Sequence, residues 1–467
     1  MNELPRDAAL PHLALALDGA AMGEVFAGLL VPHGLRVDAC HVERVKYRPG
    51  RNATLAYRLR LRGADRPVFD QHVAARLCSG DGAARSVRAG RAALAASPAG
   101  PALRWLPGLD MLTWWWPNDA RLQATHLLAD PARLRGQVLP ALMPMLGAPG
   151  ARVERCNVTI AQYVPEHRLC ARVDLQWHDG ARQGARCVYA KASREPDGAT
   201  AFGLLHRLQA SPAWRSGRLR TPAALLWHPD SQTWWQQGLP GVALLDAGPR
   251  AMTEAAAPLG AQLAALHATP VDTAREVTAD VMRARLDDVV ALLAPLLADA
   301  PVRQAAQALL AGWHHLDGAA PCSLHGDFHA RNVLVDAMPD GPRVALIDLD
   351  GLRRGPALLE LGAWQADAMY RALLDGDRPD RDDGACAALL AGYADAGGLR
   401  PSPAALRWAT AWNLLTLRAW RCVVNLKPGR YAIAPRLVAL AAALAGADAG
   451  ADADLEPSAR RGAEAAC

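Results

Sequence analysis

Two hydrophobic periods divide the chain. Up to about residue 245 apolar side chains recur at every second position, as at Leu169, Ala171, Val173, Leu175 and Trp177, which predicts half-buried antiparallel strands. From Thr253 onward the spacing turns helical, in LGAQLAALHA over 259–268 and along the run 280–313. One hairpin interrupts the helices: NVLVD, a turn at Asp340 and Gly341, then VALID. Further helices are expected to about residue 445, and the Ala-, Gly- and Asp-rich tail over 448–467 reads as disordered.

The strand-rich part repeats itself. KYRPGRNATLAYRLRL around Tyr47 reappears as QYVPEHRLCARVDLQW around Tyr163, and PALRWLPGLDMLTWWW around Trp105 as PAALLWHPDSQTWW around Trp227. LDGAAMGEVFAGLL near Asp18 has its echo in ADPARLRGQVLPALM near Asp130. Residues 17–122 and 129–245 therefore read as a tandem duplication. Each copy is expected to form a helix, two strands around a Pro turn, a third strand, a helix and two more strands. The predicted organisation is 1–125 as a degenerate N-lobe-like repeat or cap, 126–245 as the functional small lobe, 246–445 as a helical lobe and 446–467 as a tail.

Composition narrows the classes. With 467 residues, 51% apolar and 21% charged, the chain can bury more than one core, and it contains no apolar run of membrane-spanning length. Asp7 and Asp18 stand where a secretory signal would need a basic start and an apolar stretch, so a cytoplasmic protein is expected. The net charge of +5 comes without a basic stripe, which argues against nucleic acid as a partner. Nine scattered Cys without a CxxC pair indicate neither a disulfide framework nor a zinc site. Only three Lys (Lys46, Lys191 and Lys427) stand among 48 Arg. A Lys kept in such a chain is a candidate for placing a compact charge on a phosphate.

The chemistry concentrates in LHGDFHARNVLVD, where His325, Asp327 and Asn332 fit H-x-D-x-x-x-x-N, followed by LIDLDG with Asp348 and Asp350. Antiparallel pairing of the hairpin brings Asn332 and Asp348 to one end of the ribbon, with Asp327 close by. Two oxygen ligands and a free carboxylate are what Mg²⁺-dependent phosphoryl transfer needs.

At these residues the sequence resembles the aminoglycoside phosphotransferase and choline kinase family, the small-molecule branch of the protein-kinase-like fold, over about 153–440. The resemblance implies an α+β, two-lobed protein with a duplicated antiparallel-sheet N-lobe and a mainly helical C-lobe. It implies ATP and Mg²⁺ as cofactors and a small-molecule acceptor, with no nucleic-acid or membrane partner. Asp327 would orient and deprotonate the acceptor hydroxyl, Asn332 and Asp348 would bind Mg²⁺, and His325 would be mainly structural. Lys191, in CVYAKA, matches the lysine that contacts ATP phosphates, and TWWQQGLPG places Gln237 and Leu239 in the adenine-holding hinge. Glu360 stands where an Asp is usual.

Two departures accompany the resemblance. The turn Pro165, Glu166, His167, Arg168 is not the family's Gly-rich loop, so His167 or Arg168 is expected to meet phosphates. The helix after Lys191 holds no Glu to pair with it, and Glu195 is the nearby candidate. Asp350 reads as a second-metal residue or as a solvated one. The first copy carries Arg76 in place of Lys191 and resembles, in architecture, the cap of bacterial maltokinases; it is either a substrate cap or a packing module. Arg407, Arg418, Arg421 and Asn425 share a helical stripe beside Trp408 and Trp412, to grip an acceptor or to pack a core. The acidic stretch Asp375, Asp377, Asp380, Asp382 and Asp383 would attract a cationic acceptor or remain solvated. The rival to a kinase is a pseudokinase, a nucleotide- or protein-binding scaffold without turnover.

Overall fold

The computed structural model describes residues 4–64, 66–79, 94–180, 182–194, 197–339, 341–379, 384–426 and 429–447. Helix α1 (Gly19–Leu30) leads into a five-stranded sheet of β1 (Leu35–Arg48), β2 (Asn52–Gly63), β3 (Phe69–Cys78), β4 (Leu103–Leu106) and β5 (Met111–Trp115). Helices α2 (Pro131–Gln137) and α3 (Leu139–Met145) then precede β6 (Arg152–Val164), β7 (Arg168–His178), β8 (Gln183–Ser193), α4 (Asp197–Gln209), β9 (Ala224–His228) and β10 (Thr233–Gln237). The two sheets have one strand order, β1-β2-β3-β5-β4 and β6-β7-β8-β10-β9.

The registers repeat as well as the order. Trp105 faces Leu112 as Trp227 faces Trp234, and Arg76 faces Thr54 as Lys191 faces Cys170. In each copy a 3₁₀ turn before the last strand ends on a left-handed residue, Asp110 or Gln232. An upstream carboxylate ties down the turn between the first two strands. Asp7 Oδ2 accepts from the Tyr47 hydroxyl and the Gly50 amide, both at 2.8 Å, and Asp119 Oδ2 accepts from the Tyr163 hydroxyl and, at 3.0 Å, from the Glu166 amide. The helix expected after the third strand of the first copy falls within 80–93, outside the described residues.

Strand alternation decides how the copies stack. Leu55, Tyr57, Leu59 and Leu61 of β2 bury against Met22, Phe26 and Leu30 of α1, so the odd-numbered side chains supply the first copy's own core. The other face, with Ala56, Ala74, Leu112 and Trp114, packs into the core that holds Leu134, Val138 and Leu142 of the α2–α3 region and Leu169, Ala171 and Val173 of β7. The layers are thus helix, sheet, helices, sheet. The last face, with Cys170, Tyr189, Lys191 and Gln236, looks onto the rest of the chain.

Beyond β11 (Val242–Ala243) the chain is mainly helical: α5 (Pro249–His267), α6 (Ala279–Leu293) and α7 (Asp299–Ala311), then β12 (Pro321–Leu324), β13 (Val333–Met338), β14 (Gly341–Leu346) and β15 (Arg353–Pro356). There follow α8 (Leu358–Asp375), α9 (Ala385–Asp395), α10 (Pro403–Asn413), a π-helical stretch (Leu414–Ala419), α11 (Trp420–Val424) and α12 (Arg430–Gly446). The periodic run expected over 280–313 is two helices, parted around Pro295. β11, β13 and β14 form one small sheet, β12 and β15 another. Among the described residues no helix is long and apolar enough to cross a membrane, and the cysteines are free thiols.

Asp119→Ala should leave the Tyr163 hydroxyl and the Glu166 amide without their acceptor, at a cost of about 1–3 kcal/mol. A urea-unfolding midpoint equal to that of the parent would refute this.

Candidate active site

Between the second sheet and the helical lobe lies a cleft of about 810 Å³. Lys191 projects into it from β8, because its neighbours Ala190 and Ala192 are the ones turned into the core. Its Nζ donates to Asp348 Oδ1 at 2.7 Å and to Asp350 Oδ1 at 2.8 Å. Burial alone would favour the neutral amine, but the charges of Asp350 and Asp348 outweigh it and raise the Lys191 pKa. Burial likewise raises Asp348, yet the Lys191 charge and hydrogen bond bring it down to about 2. In Asp350 burial prevails and the shift is upward. The partner sought for Lys191 is therefore this pair of carboxylates, and Asp350, read as a second-metal or solvated residue, is one of them. Glu195 lies outside the described residues.

The hairpin sets Asn332 and Asp348 side by side. Val333 pairs with Leu346, and the Ile347 amide donates to the Asn332 carbonyl at 3.0 Å, so the residues flanking the ribbon converge at one end. Asp348 adopts a left-handed backbone, φ 61°, which turns the chain sharply after β14. Asn332 Nδ2 donates to the Asp327 carbonyl at 3.0 Å, which keeps the amide oxygen as an acceptor. Asn332 and Asp348 offer hard oxygens, and among the described residues no group of three or more His, Cys, Asp or Glu forms a cage. That suits Mg²⁺, which typically takes one or two protein oxygens and completes its shell with phosphates and water.

Asp327 lies on the loop between β12 and β13. Burial would raise its pKa, but a hydrogen bond from His329 and the charge of Arg421 hold it well below the usual carboxylate range. Arg421 reaches its Oδ1 at 3.0 Å. The loop itself hangs on Glu360 of α8, which sequence reasoning noted only as an atypical residue. Glu360 is buried and accepts from the amides of His325 at 2.9 Å and Gly326 at 2.7 Å; its Oε2 lies 3.1 Å from His267 Nε2. Burial would raise its pKa, but the His267 hydrogen bond and charge, then His325 and the Gly326 amide, lower it on balance. His325 Nε2 contacts the Ile347 carbonyl at 2.9 Å, so this histidine braces the loop against the hairpin. Gly326 has φ 85°, and a Cβ there would sit 2.1 Å from the Gly351 carbonyl, so no other residue fits.

The turn at Pro165–Arg168 departs from a glycine loop in a specific way. Glu166 has φ 64°, as Gly50 has φ 68° at the matching position of the first copy. A non-glycine residue pays for that conformation. Here the Asp119 bond to its amide and ion pairs from Arg76 and Arg121 hold it. The Glu166 side chain thereby turns toward the first copy, while His167 and Arg168 line the cleft. Arg76, the counterpart of Lys191, also lies 5.8 Å over Trp114, on a face filled by side chains.

Gln237 and Leu239 line the cleft where β10 leaves the sheet. The arginine stripe of the last helices is dispersed. The π-helical stretch adds residues to a turn, so Arg418 meets Asp367 at 3.1 Å while Arg421 meets Asp327. Trp408 and Trp412 pack with Trp313 in the core, which removes them as a stacking platform. Of the acidic stretch, Asp380, Asp382 and Asp383 lie outside the described residues.

Residues 188–409 match the profile of the family described as APH, phosphotransferase enzyme family. Among solved structures, the chain is similar to a thermostable mutant of aminoglycoside phosphotransferase APH(4)-Ia in its apo form, with 18% identity over 66% of this chain and 98% of that one, TM-score 0.44. It is similar to a choline/ethanolamine kinase family protein from Mesorhizobium loti, with 16% identity over 67% and 98%, TM-score 0.43. Choline kinase LicA from Streptococcus pneumoniae shows 12% identity over 64% and 94%, TM-score 0.40. No curated protein matches.

Glu360→Ala should strip two buried amides and His267 of their acceptor and destabilise the fold by about 3 kcal/mol or more, whereas Glu360→Gln should cost clearly less. Equal urea midpoints for the two variants would contradict this assignment.

Proposed function

We propose that the protein transfers the γ-phosphoryl group of ATP to a hydroxyl of a small molecule, a reading supported by the match of residues 188–409 to the phosphotransferase enzyme family. The observation that carries this reading is the convergence, at one cleft, of a buried Lys191 with Asp348, Asp350 and Asn332, the last of which donates to the backbone carbonyl of Asp327. In this reading residues 126–245 are the small lobe, 246–445 the catalytic lobe and 1–125 the cap. Adenine lies against Gln237 and Leu239, and Lys191 exchanges its carboxylates for phosphate oxygens, assisted by Arg168. Asn332 and Asp348 would hold Mg²⁺, which when bound neutralises the charge of the phosphate groups.

Asp327 then takes the part of the acceptor's partner. It accepts a hydrogen bond from the acceptor hydroxyl and so aims the oxygen at phosphorus. As the new P–O bond forms and the bond to ADP breaks, the proton passes to the carboxylate and on to water. The low pKa makes Asp327 a weak base, so orientation is its larger contribution and the proton moves late.

Asp327→Ala should lower turnover by about 10²–10⁴-fold while nucleotide binding stays within a few-fold, as followed by ADP release and by titration with ATP. Asp348→Ala should abolish the Mg²⁺ dependence of ATP affinity, and Lys191→Ala should lower kcat/KM for ATP by about tenfold or more. Mg²⁺-dependent ATP binding without ADP release against sugars, amino alcohols, aminoglycosides, hydroxy acids and nucleosides would favour the scaffold reading. Arg421→Gln removes a charge that depresses Asp327, so the Asp327 pKa rises. Since activity is lost as pH falls through that pKa, the acid limb of the kcat profile should move to higher pH. An unmoved limb would exclude Asp327 as the group it reports.

A further inference from the structure

The turn between β6 and β7 has the shape of a glycine turn without the glycine. The His167 amide donates to the Val164 carbonyl at 3.0 Å, and in the first copy the Arg51 amide donates to the Arg48 carbonyl at the same distance, with a proline second and a left-handed residue third in both turns. That third place calls for glycine. The first copy has Gly50 there and the second has Glu166. Glu166 therefore holds a conformation that its own backbone disfavours, and contacts outside the turn must stabilise it.

The first copy provides such contacts from two strands. Arg76 of β3 forms an ion pair with Glu166, donating from Nε to Oε1 at 3.0 Å, and the Glu166 side chain is buried. Lys46 of β1 reaches the next residue, its Nζ lying 2.8 Å from His167 Nε2. Both stand on the face of the first sheet turned toward the second copy, because their strand neighbours Val45, Tyr47, Ala75 and Leu77 are buried in the first copy's own core. Burial and then the charge of Lys46 lower the His167 pKa to about 4, so the ring is neutral and Nε2 accepts from the ammonium. Asp119, on the Glu166 amide, and Arg121, on its carboxylate, add support from the segment after β5.

The other side of the turn belongs to the cleft. His167 and Arg168 line it together with Lys191 and Asp348. The His167 carbonyl accepts from the Arg194 amide at 3.2 Å, and Arg168 opens β7 opposite Ser193, so the path of the turn sets where Arg168 stands. A turn left to itself would have to be ordered by the ligand, at the expense of affinity.

We propose that the first copy is a positioning element of the nucleotide site: Arg76 and Lys46 hold Glu166 and His167 so that Arg168 is set for phosphate, and Glu166 in the glycine place makes that arrangement depend on the first copy. This role is neither that of a substrate cap nor that of a passive packing module. It rests on the phosphotransferase reading for the identity of the ligand.

The test removes the carboxylate in two ways. Glu166→Ala and Glu166→Gly both abolish the ion pair without leaving a buried carboxylate unpaired, but only glycine adopts the left-handed backbone freely. Calorimetric titration of the full chain with a non-hydrolysable ATP analogue and Mg²⁺ should show Glu166→Ala weaker than the parent by about fivefold or more, and Glu166→Gly within about twofold of it. Equal affinities of these two variants would overturn the proposal. Arg76→Gln should weaken the analogue by about the same factor as Glu166→Ala, and adding Glu166→Gly should restore most of the loss, a rescue that a packing defect at Arg76 would not permit. Absence of that rescue also counts against the proposal; should Arg76→Gln fail to fold, the two variants at 166 decide alone. In turnover the Arg76→Gln loss should fall on the KM of ATP, with the acceptor KM within about twofold. A loss confined to the acceptor KM would make the first copy a substrate cap instead. Deuterium uptake by the backbone over 164–168 reads the clamp without any nucleotide: it should rise in Arg76→Gln, and unchanged uptake would refute the clamp. A parent that does not bind the analogue sinks the phosphotransferase reading, and the exchange result still decides whether the first copy holds the turn.

Discussion

The buried ammonium of Lys191 between Asp348 and Asp350 is the interaction on which the rest of the site depends, because it joins the second sheet to the hairpin of the helical lobe. A cation at that depth is costly in itself, and two carboxylates repay the cost only if the sheet and the hairpin keep their distance and angle. The left-handed backbone at Asp348 supports this by folding the chain so that Asp348 and Asp350 both reach one nitrogen. Charges held in this way are already desolvated and oriented before any ligand arrives.

A second carboxylate, Glu360, performs the corresponding task for the loop that carries Asp327. It is buried, accepts two consecutive backbone amides and contacts His267, whose Nδ1 lies 2.8 Å from the Tyr393 hydroxyl of α9. The chain of contacts α9, His267, Glu360, loop passes the rigidity of the helical core to a segment with almost no regular structure. Asp327 in turn stays ionised through His329 and Arg421, so its loop is fixed from one side by Glu360 and from the other by α11.

The duplicated sheet shows one architecture in two electrostatic settings. In the second copy the face bearing Lys191 is open and lined by polar side chains. In the first, the face bearing Arg76 is filled by Ala56, Ala74, Leu112 and Trp114 against the helices that belong to the second copy. Stacking the copies thus costs the first a cleft and supplies the second with a clamp: Arg76 holds Glu166, and Lys46 contacts His167, in the turn where a glycine loop would otherwise need no outside support.

Much of this was legible in the sequence, where the determinant is local or periodic. The switch from a two-residue to a helical period separated the sheets from the helices, the recurring Tyr and Trp positions revealed the duplication, and the spacing around Asp327, Asn332, Asp348 and Lys191 marked the cleft. These signals survive in one dimension because strand pairing and a short hairpin convert sequence distance directly into spatial distance. The contacts of Asp350 with Lys191, Arg76 with Glu166 and Arg421 with Asp327 span 159, 90 and 94 residues, and nothing in the chain encodes which distant charges meet. Glu360 looked like a simple variant of an expected residue, and only its burial beneath two amides gives it a task. The arginine stripe was periodic in sequence, but a π-helical stretch, which no period announces, turned Arg418 inward and Arg421 to the site. Local pattern thus determined the elements and the candidate site residues. Packing of those elements decided which charges are paired, because pairing depends on burial and on three-dimensional distance, and these exist only after the layers have met.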